Sequence, residues 1–339
     1  MDKPQAFTGR LDSFPRIPFA NAPTPLEAMP RLGAAIGLPN LWVKRDDLTG
    51  LAAGGNKARK LEFLVADAVA KGCDHLVTTG GRQSNHARMT AAAANRAGLG
   101  CTLVFGDPDE GNRPGNLLLD EILGADLVFL GESNLKQMAE GVEREMERLR
   151  AKGHTPYAIP VGGSTPLGEL GYITAMQEWA EQAQGKGIDT IVLAVGSAGT
   201  AAGVSMGLKM FAPECRLLGV SVSRSLARLG TLIADMANEI AELLEVPQRV
   251  AHGDVEVSDD YVGPGYGVPS EAGIEAVRLT ARTEGLLLDP VYTGKAMSGL
   301  IGLARAGRFA DSTGVCFWHT GGLPALFAFE SDFTNKPSA

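Results

Sequence analysis

Short apolar runs alternate with stretches of helical periodicity along most of the chain. Apolar runs at residues 75–79, 101–105, 126–130, 190–195 and 217–222 predict buried strands. Between them, apolar residues recur three or four positions apart, which predicts amphipathic helices. Such alternation is typical of an α/β protein with parallel sheets flanked by helices.

Two stretches interrupt this alternation. Residues 1–40 are rich in Pro and Arg, which predicts an extended arm and a short helix at about residues 26–36. The Gly- and Pro-rich stretch 161–168 predicts a crossing between two lobes, with the next helix at residues 172–184. A chain of 339 residues is long enough for two lobes.

Composition and charge argue against several classes of protein. The net charge of −8 disfavours a nucleic-acid partner, and no apolar run predicts a membrane span. The beginning of the sequence lacks the apolar core of a signal peptide, and four scattered cysteines indicate free thiols in a reducing cytoplasm. Five scattered histidines form no metal-ligand pattern, so we expect no metal.

A basic segment opens the helix that follows two glycines, Gly54 and Gly55. Lys57, Arg59 and Lys60 stand at the helix N-terminus, where the partial positive charge of the helix disfavours cations. This helix end and partial burial would lower the pKa of a lysine, and a neutral amine can form a Schiff base with a carbonyl group. Lys57 is therefore a candidate nucleophile. The alternative is a flexible turn followed by a solvated basic face.

The loop Gly196-Ser197-Ala198-Gly199-Thr200 follows a predicted strand and opens a helix. Backbone N–H groups in such a loop can bind a phosphate. The glycine spacing differs from the dinucleotide fingerprint, and the next strand ends near Arg224 without an acidic residue that could bind a ribose. A phosphate such as that of pyridoxal phosphate (PLP) fits better than NADP bound through Arg224. A tight turn that binds nothing is the alternative.

The segment Gln83-Ser84-Asn85-His86 lies between another predicted strand and its helix. Its amides, hydroxyl and backbone N–H groups can bind a substrate carboxylate without a charge of their own. A simple helix cap made by Ser84 or Asn85 is the alternative.

Tyr266 and Tyr292 each lie in a loop rich in Gly and Pro, although the chain has only five tyrosines. Phenol groups can transfer protons or hydrogen-bond a leaving group. Aromatic packing within the two loops is the alternative.

Seven segments together resemble the fold-type-II PLP-dependent enzymes. The match is closest to the branch of D-cysteine desulfhydrase, L-cysteate sulfo-lyase and 1-aminocyclopropane-1-carboxylate (ACC) deaminase. The segments follow in order over most of the chain: Lys44-Arg45-Asp46-Asp47, Gly54-Gly55-Asn56-Lys57, Gln83-Ser84-Asn85-His86, Gly196 to Thr200, Gly265-Tyr266-Gly267, Leu288-Asp289-Pro290-Val291-Tyr292 and His319-Thr320-Gly321-Gly322.

This resemblance implies a tryptophan synthase β-like architecture with PLP in a cleft between two domains. We expect a large PLP-binding domain of residues 1–57 and 165–339 and an inserted smaller α/β domain of residues 58–164. The resemblance also implies a homodimer and a small amino-acid substrate.

The resemblance assigns cofactor contacts to individual residues. Lys57 would hold PLP as a Schiff base, Asn85 would contact the ring oxygen, and the loop from Gly196 to Thr200 would hold the phosphate. Thr293 and Thr320 would hydrogen-bond the pyridine nitrogen. A hydroxyl partner does not force that nitrogen to be protonated, which favours prompt β-elimination.

Substrate contacts are implied in the same way. Ser84, with its neighbours Gln83, Asn85 and His86, would hold the substrate carboxylate. Lys57 or Tyr292 would remove the Cα proton, and Tyr266 would lie by the leaving group.

The Thr pair at positions 293 and 320 resembles D-cysteine desulfhydrase, whereas ACC deaminases resemble V-Y-E-G-K and H-L-G-G at these places. The sequence therefore predicts conversion of D-cysteine to pyruvate, ammonia and hydrogen sulfide. Arg82 departs from the desulfhydrase pattern and could pair with a sulfonate, so L-cysteate sulfo-lyase is the alternative, and ACC deaminase a further one. An NADP-linked oxidoreductase and a non-catalytic PLP carrier are rivals from other classes.

Overall fold

The computed structural model describes residues 10–223 and 229–334. The strands are β1 (Leu26–Ala28), β2 (Leu41–Arg45), β3 (His75–Gly80), β4 (Gly100–Phe105), β5 (Asp126–Phe129), β6 (Pro156–Ile159), β7 (Thr190–Val195), β8 (Arg216–Ser221), β9 (Glu256–Ser258) and β10 (Val315–His319). The α-helices are α1 (Pro30–Ile36), α2 (Lys57–Ala70), α3 (Asn85–Ala97), α4 (Asn116–Ile122), α5 (Leu135–Ala151), α6 (Pro166–Ala183), α7 (Gly199–Phe211), α8 (Leu229–Leu244), α9 (Glu271–Glu284), α10 (Thr293–Arg305), α11 (Leu323–Leu326) and α12 (Glu330–Thr334).

These strands form two sheets. The larger sheet has the order β1-β2-β10-β7-β8-β9, and the smaller sheet has the order β5-β4-β3-β6. Neighbouring strands are parallel except for β1, which pairs antiparallel with β2. The predicted α/β fold with parallel sheets is confirmed. The domain boundaries at residues 57 and 165 stay a prediction.

Helices cover both faces of the larger sheet, and its central strands are apolar for this reason. In β7, Ile191 and Leu193 pack in one core cluster with Trp179, whereas Val192 packs in another with Met297. Successive side chains of a strand point to opposite faces, so one strand contributes to two cores. A further cluster lies between α2, α3 and the smaller sheet.

Helix α6 begins at Pro166, earlier than the predicted start at residue 172. The predicted crossing at residues 161–168 is therefore short, and Val161–Gly163 forms a single 3₁₀ turn. Pro166 occupies the first helical position, where its missing N–H is harmless, and the Thr165 hydroxyl caps the helix. Gly171 lies inside α6, although glycine is a weak helix former. The position requires glycine because a Cβ there would stand 2.2 Å from the backbone oxygen of Arg59 in α2. Close helix packing, rather than a loop, explains this glycine.

The helix predicted at residues 26–36 was wrong in its first part. Residues 26–28 form β1, which pairs with residues 42–44 of β2, and α1 begins only at Pro30. Local periodicity contains no information on this pairing, which is a tertiary contact. The short strand β9 also escaped prediction because three residues are too few to show a pattern.

Within residues 10–223 and 229–334, no helix is long and apolar enough to cross a membrane. The same part of the chain contains no group of three His, Cys, Asp or Glu side chains that could hold a metal ion. All four cysteines are free thiols.

Candidate active site

A cavity of about 500 Å³ lies at the carboxyl ends of strands from both sheets. Gly80 at the end of β3 and Gly106 after β4 line one side, and Val195 at the end of β7 and Thr320 after β10 line the other. Ligands of parallel α/β proteins bind at this edge of the sheet. The volume suits a small cofactor and substrate.

Most of the predicted site residues line this cavity. They are Lys57, Ser84, Asn85, His86, Gly196, Ser197, Ala198, Thr200, Tyr266, Tyr292 and Thr320. Gln83, Gly199 and Thr293 are not among the lining residues.

Lys57 is the first residue of α2, and its side chain lines the cavity. Burial lowers the pKa of its amine well below the usual value, and the neighbouring Lys60 cation lowers it further, while Glu169 opposes both. Lys60 is itself fixed, because its Nζ donates to Glu169 Oε1 at 2.8 Å and to the Gly162 carbonyl at 3.2 Å. A neutral amine is nucleophilic, so Lys57 is suited to attack a carbonyl carbon.

The other two cations at the start of α2 are buried rather than solvated. Arg59 donates to Asp46 at 2.9 Å and to Glu178 at 3.0 Å, and Lys60 pairs with Glu169. The interpretation as a solvated basic face is therefore wrong. Buried acidic partners compensate both cations for their loss of water.

Asp46 is a buried carboxylate that ties α2 to the larger sheet. Its Oδ2 accepts hydrogen bonds from Tyr172 Oη at 2.8 Å and from Trp318 Nε1 at 2.9 Å, and its Oδ1 accepts from Thr24 Oγ1 at 2.9 Å. Burial alone would raise the pKa of Asp46, but the Arg59 cation, the Trp318 hydrogen bond and the nearby Lys44 outweigh burial and lower it. The network fixes the helix end that presents Lys57.

The loop from Gly196 to Thr200 has the form of an anion cradle. Ala198 has a φ of 73°, in the left-handed region, and α7 begins at the next residue, Gly199. Thr200 Oγ1 accepts from Asn56 Nδ2 at 3.0 Å, which leaves its hydroxyl hydrogen to donate. A helix N-terminus, a left-handed turn and a hydroxyl donor together fit a phosphate. Arg224, considered above for NADP, lies outside the described residues.

Replacing Gly199 with alanine is expected to weaken phosphate binding. A Cβ at Gly199 would stand 1.9 Å from Glu169 Oε1 and 2.5 Å from Ser164 Oγ, so the start of α7 must move. Overpacking costs about 1–3 kcal/mol. Because this cost falls on the loop that holds the phosphate, we expect the dissociation constant of PLP to rise by about 5- to 150-fold. Fluorescence titration of the PLP-free protein measures this constant. Gly253→Ala, where a Cβ meets open space, is the control, and equal affinity of the two variants would contradict the prediction.

Ser84 and Asn85 present hydrogen-bond donors to the cavity. Ser84 caps α3 by accepting from Ala87 N at 3.2 Å, and its own hydroxyl hydrogen stays available. Asn85 Oδ1 accepts from Arg88 Nη1 at 3.2 Å and from Asn116 Nδ2 at 3.0 Å, which leaves its own Nδ2 as a donor. Ser84 can therefore cap α3 through its oxygen and donate its hydroxyl hydrogen to a ligand at the same time.

Gln83 and His86 have structural partners. Gln83 Oε1 accepts from Asn116 N at 3.0 Å, away from the cavity lining. His86 lines the cavity, but its Nε2 lies 2.9 Å from Thr78 Oγ1. Because the Thr78 hydroxyl donates to a backbone carbonyl, His86 is the donor in this contact. Burial lowers the pKa of His86 well below its usual value and keeps it neutral.

The hydroxyl groups of Tyr266 and Tyr292 hydrogen-bond each other at the cavity. Their rings meet edge-on with centroids 5.9 Å apart. Burial raises the pKa of the Tyr292 phenol, and the neighbouring Tyr266 raises it further. Tyr266 as a whole is 45% exposed, but desolvation of its hydroxyl at the cavity also raises its pKa. Both therefore hold their protons at neutral pH and can donate one.

Thr293 and Thr320 are placed differently. Thr320 lines the cavity, whereas Thr293 is buried at the start of α10. The Thr293 hydroxyl donates to Asp289 Oδ1 at 2.7 Å and accepts from Asp289 N at 2.9 Å. Thr320 is thus the one of the two hydroxyls that is available at the cavity.

Arg82 pairs with Glu110 and donates to Asn112, and it is not a lining residue of the cavity. The Arg82 guanidinium, which the sequence suggested as a partner for a sulfonate, is therefore already paired with the Glu110 carboxylate.

Asp107 is a lining residue that the sequence analysis missed. It follows β4, which pairs with β3, so it lies next to the loop that precedes α3. The adjacency of these two strand ends is the signal from which it could have been found.

Comparisons with known proteins agree with this geometry. The model of a family described as "Pyridoxal-phosphate dependent enzyme" matches residues 17–321. A structure titled "Crystal Structure Analysis of the ACC deaminase homologue" is 37% identical, with a TM-score of 0.90 over 98% of this chain and 99% of that one. Maize serine racemase is 18% identical, with a TM-score of 0.69 over 97% of this chain and 95% of that one. Threonine deaminase isoform 2 from Solanum lycopersicum, in its processed form, is 17% identical, with a TM-score of 0.64 over 95% and 85%. The chain therefore belongs to the pyridoxal-phosphate dependent enzymes of fold type II, and its cofactor is pyridoxal 5′-phosphate.

Proposed function

We propose that this enzyme is a carbon–sulfur lyase that converts D-cysteine and water to pyruvate, ammonia and hydrogen sulfide. One observation carries the proposal: Lys57, the Ser84–Asn85 segment and the Tyr266–Tyr292 pair line a single cavity. An amine nucleophile, a carboxylate site and a proton donor are what β-elimination from an amino acid requires.

The lining residues fit PLP, and four parts of the cavity wall would contact different groups of the cofactor. The loop from Gly196 to Thr200 would hold the phosphate, and Asn85 Nδ2 would donate to the ring oxygen. Thr320 would contact the pyridine nitrogen, and Lys57 Nζ would bond to the aldehyde carbon. When bound, PLP serves as an electron sink for negative charge at the Cα of an amino acid.

The protein groups then divide the remaining work. Ser84 Oγ and the N–H groups at the start of α3 bind the substrate carboxylate. Lys57 Nζ, which the substrate amine displaces from the aldehyde carbon, takes the Cα proton. Tyr292 is the less suitable base, because its raised pKa keeps its phenol protonated. Tyr266 Oη gives its proton to sulfur as the C–S bond breaks and the bonding electron pair goes to sulfur. The carbon skeleton leaves as 2-aminoacrylate, which water converts to pyruvate and ammonia.

Two related activities are less well supported. L-cysteate sulfo-lyase activity depends on Arg82 as a partner for the sulfonate, but Arg82 already forms an ion pair with Glu110. ACC deaminase activity is favoured by the 37% identity to a structure with that title. The Thr residues at positions 293 and 320 nevertheless differ from the Glu and Leu that the ACC deaminase pattern has there.

Product analysis tests the proposed function. PLP-loaded enzyme is incubated separately with D-cysteine, L-cysteine, L-cysteate and ACC, and pyruvate, 2-oxobutanoate, sulfide and sulfite are measured. We expect sulfide and pyruvate in equal amounts from D-cysteine alone. Sulfite from L-cysteate would assign the enzyme to the sulfo-lyases, and 2-oxobutanoate from ACC would assign it to the deaminases.

We also propose that the enzyme works as a homodimer. Large apolar side chains are exposed on α4 and near the end of the described chain, with Ile122 at 71% and Phe327 at 70%. A second subunit that covers such side chains would remove them from water.

A further inference from the structure

Asp107 holds a fixed place in the cavity wall. It lies two residues beyond the end of β4, and its Oδ2 accepts a hydrogen bond from the backbone N–H of Arg82 at 2.8 Å. This bond joins Asp107 to the segment that leads into the carboxylate-binding residues Ser84 and Asn85. The Arg82 N–H therefore orients the Asp107 carboxylate, and Asp107 lines the cavity.

The Asp107 carboxylate lies beside the phenol of Tyr266. A Cβ built on Gly81 would stand 3.4 Å from Asp107 Oδ2 and 3.7 Å from Tyr266 Oη, so one point is close to both oxygens. The negative charge of Asp107 also contributes to the raised pKa of Tyr266, after the larger effect of burial. Asp107 therefore lies at the end of the cavity where the proposed proton donor stands.

Charge is unevenly distributed around this end. Among the described residues that line the cavity, the acidic or basic side chains are those of Lys57, His86 and Asp107. His86 is neutral, and burial lowers the pKa of Lys57 well below its usual value, so neither side chain offsets the charge of Asp107. The nearby Arg82 guanidinium pairs with Glu110 instead of Asp107. Asp107 is thus the carboxylate that a substrate side chain would meet.

We propose that Asp107 is a specificity-determining residue that disfavours amino acids with an anionic side chain. The inference rests on the proposed function, which directs the substrate side chain toward Tyr266. A cysteine thiol enters largely uncharged, and its sulfur receives a proton from Tyr266 as it leaves. A sulfonate or carboxylate side chain carries its charge throughout, so repulsion by Asp107 acts on it from binding onward.

Binding of two amino acids of equal size tests this inference without turnover. D-aspartate and D-asparagine differ in side-chain charge, and neither carries a good leaving group. Dissociation constants for both, and for their L-enantiomers, are obtained from the absorbance change of the PLP-loaded enzyme. In the native enzyme we expect asparagine to bind about tenfold more tightly than aspartate, from a screened charge–charge repulsion across a few ångströms.

Asp107→Asn is the decisive variant because it removes the charge and keeps an oxygen that can accept from Arg82 N–H. The ratio of the dissociation constant of aspartate to that of asparagine should fall about tenfold in this variant. Asp109→Asn is the matched control: it changes the net charge equally in the same loop, but Asp109 pairs with Arg113 and does not line the cavity. Its ratio should equal that of the native enzyme. If Asp107→Asn does not load PLP, Asp107→Ser provides the same comparison.

Several results would overturn the inference. One is a ratio of dissociation constants that stays unchanged in Asp107→Asn, and another is an equal change of this ratio in Asp109→Asn. The native enzyme would also contradict the inference if it bound aspartate and asparagine equally well, or bound neither. Sulfide release from D-cysteine, measured on the same preparations, reports separately on the proposed function. Equal binding of aspartate and asparagine by a native enzyme that releases sulfide normally would therefore contradict the role of Asp107 and leave the proposed function standing.

Discussion

Lys57→Ala is expected to abolish covalent PLP attachment and to lower sulfide release from D-cysteine by on the order of a thousandfold or more. The variant removes the amine that we assign to both cofactor attachment and proton transfer. The fold should survive, because the burial that lowers the pKa of Lys57 also makes its amine costly to keep in the interior. Visible absorbance of bound PLP, sulfide release and the midpoint of thermal unfolding are measured together.

Lys71→Ala is the matched control for this experiment. Lys71 stands at the other end of the same helix, and its side chain is 60% exposed. This variant should keep PLP absorbance and activity near native values. Covalently bound PLP in Lys57→Ala at the native stoichiometry would contradict the assignment of Lys57.

Asp46→Ala is expected to lower the free energy of unfolding by about 3–5 kcal/mol, because it breaks a buried ion pair. It leaves the donors of Tyr172 and Trp318 without their acceptor and removes one of the two acidic partners of Arg59. Urea denaturation followed by tryptophan fluorescence measures the change. Because folding lowers the pKa of Asp46, its stabilising contribution is present at neutral pH and is lost as the pH falls through its folded-state pKa.

An exposed carboxylate provides the control for Asp46. Asp235 lies 3.0 Å from His252 at the surface, and both side chains are more than half exposed. Asp235→Ala should change the free energy of unfolding by about 0.5 kcal/mol or less. Similar losses in the two variants would show that the Asp46 network does not stabilise the start of α2.

Alternation of strands and helices was predictable because buried strands such as β4 and β7 are short runs of mostly apolar residues. The run at residues 190–195 is an example: it forms β7, between two cores. Errors occurred where tertiary contacts override local preference. Residues 26–28 belong to the predicted helix 26–36, yet they form β1 because they pair with residues 42–44 of β2.

Strand-end motifs could also be identified as candidate site residues, since parallel strands bring their carboxyl ends to one edge. Ser84, Gly196 and Thr320 follow β3, β7 and β10, and they line one cavity although they are far apart in the chain. Side-chain partners were not predictable in this way. The acidic partner Glu178 lies more than one hundred residues after Arg59, and the link between Thr293 and Asp289 depends on the local turn.

Borohydride reduction of the PLP-loaded protein followed by peptide mass spectrometry tests the central assignment most directly. Borohydride reduces the C=N bond between PLP and a lysine to a stable secondary amine, which marks the residue. Lys44, Lys60 and Lys295 are fully buried lysines, so the chain offers three internal competitors. We predict the pyridoxyl group on Lys57 alone. A pyridoxyl group on any other lysine, with Lys57 unmodified, would contradict the site described here.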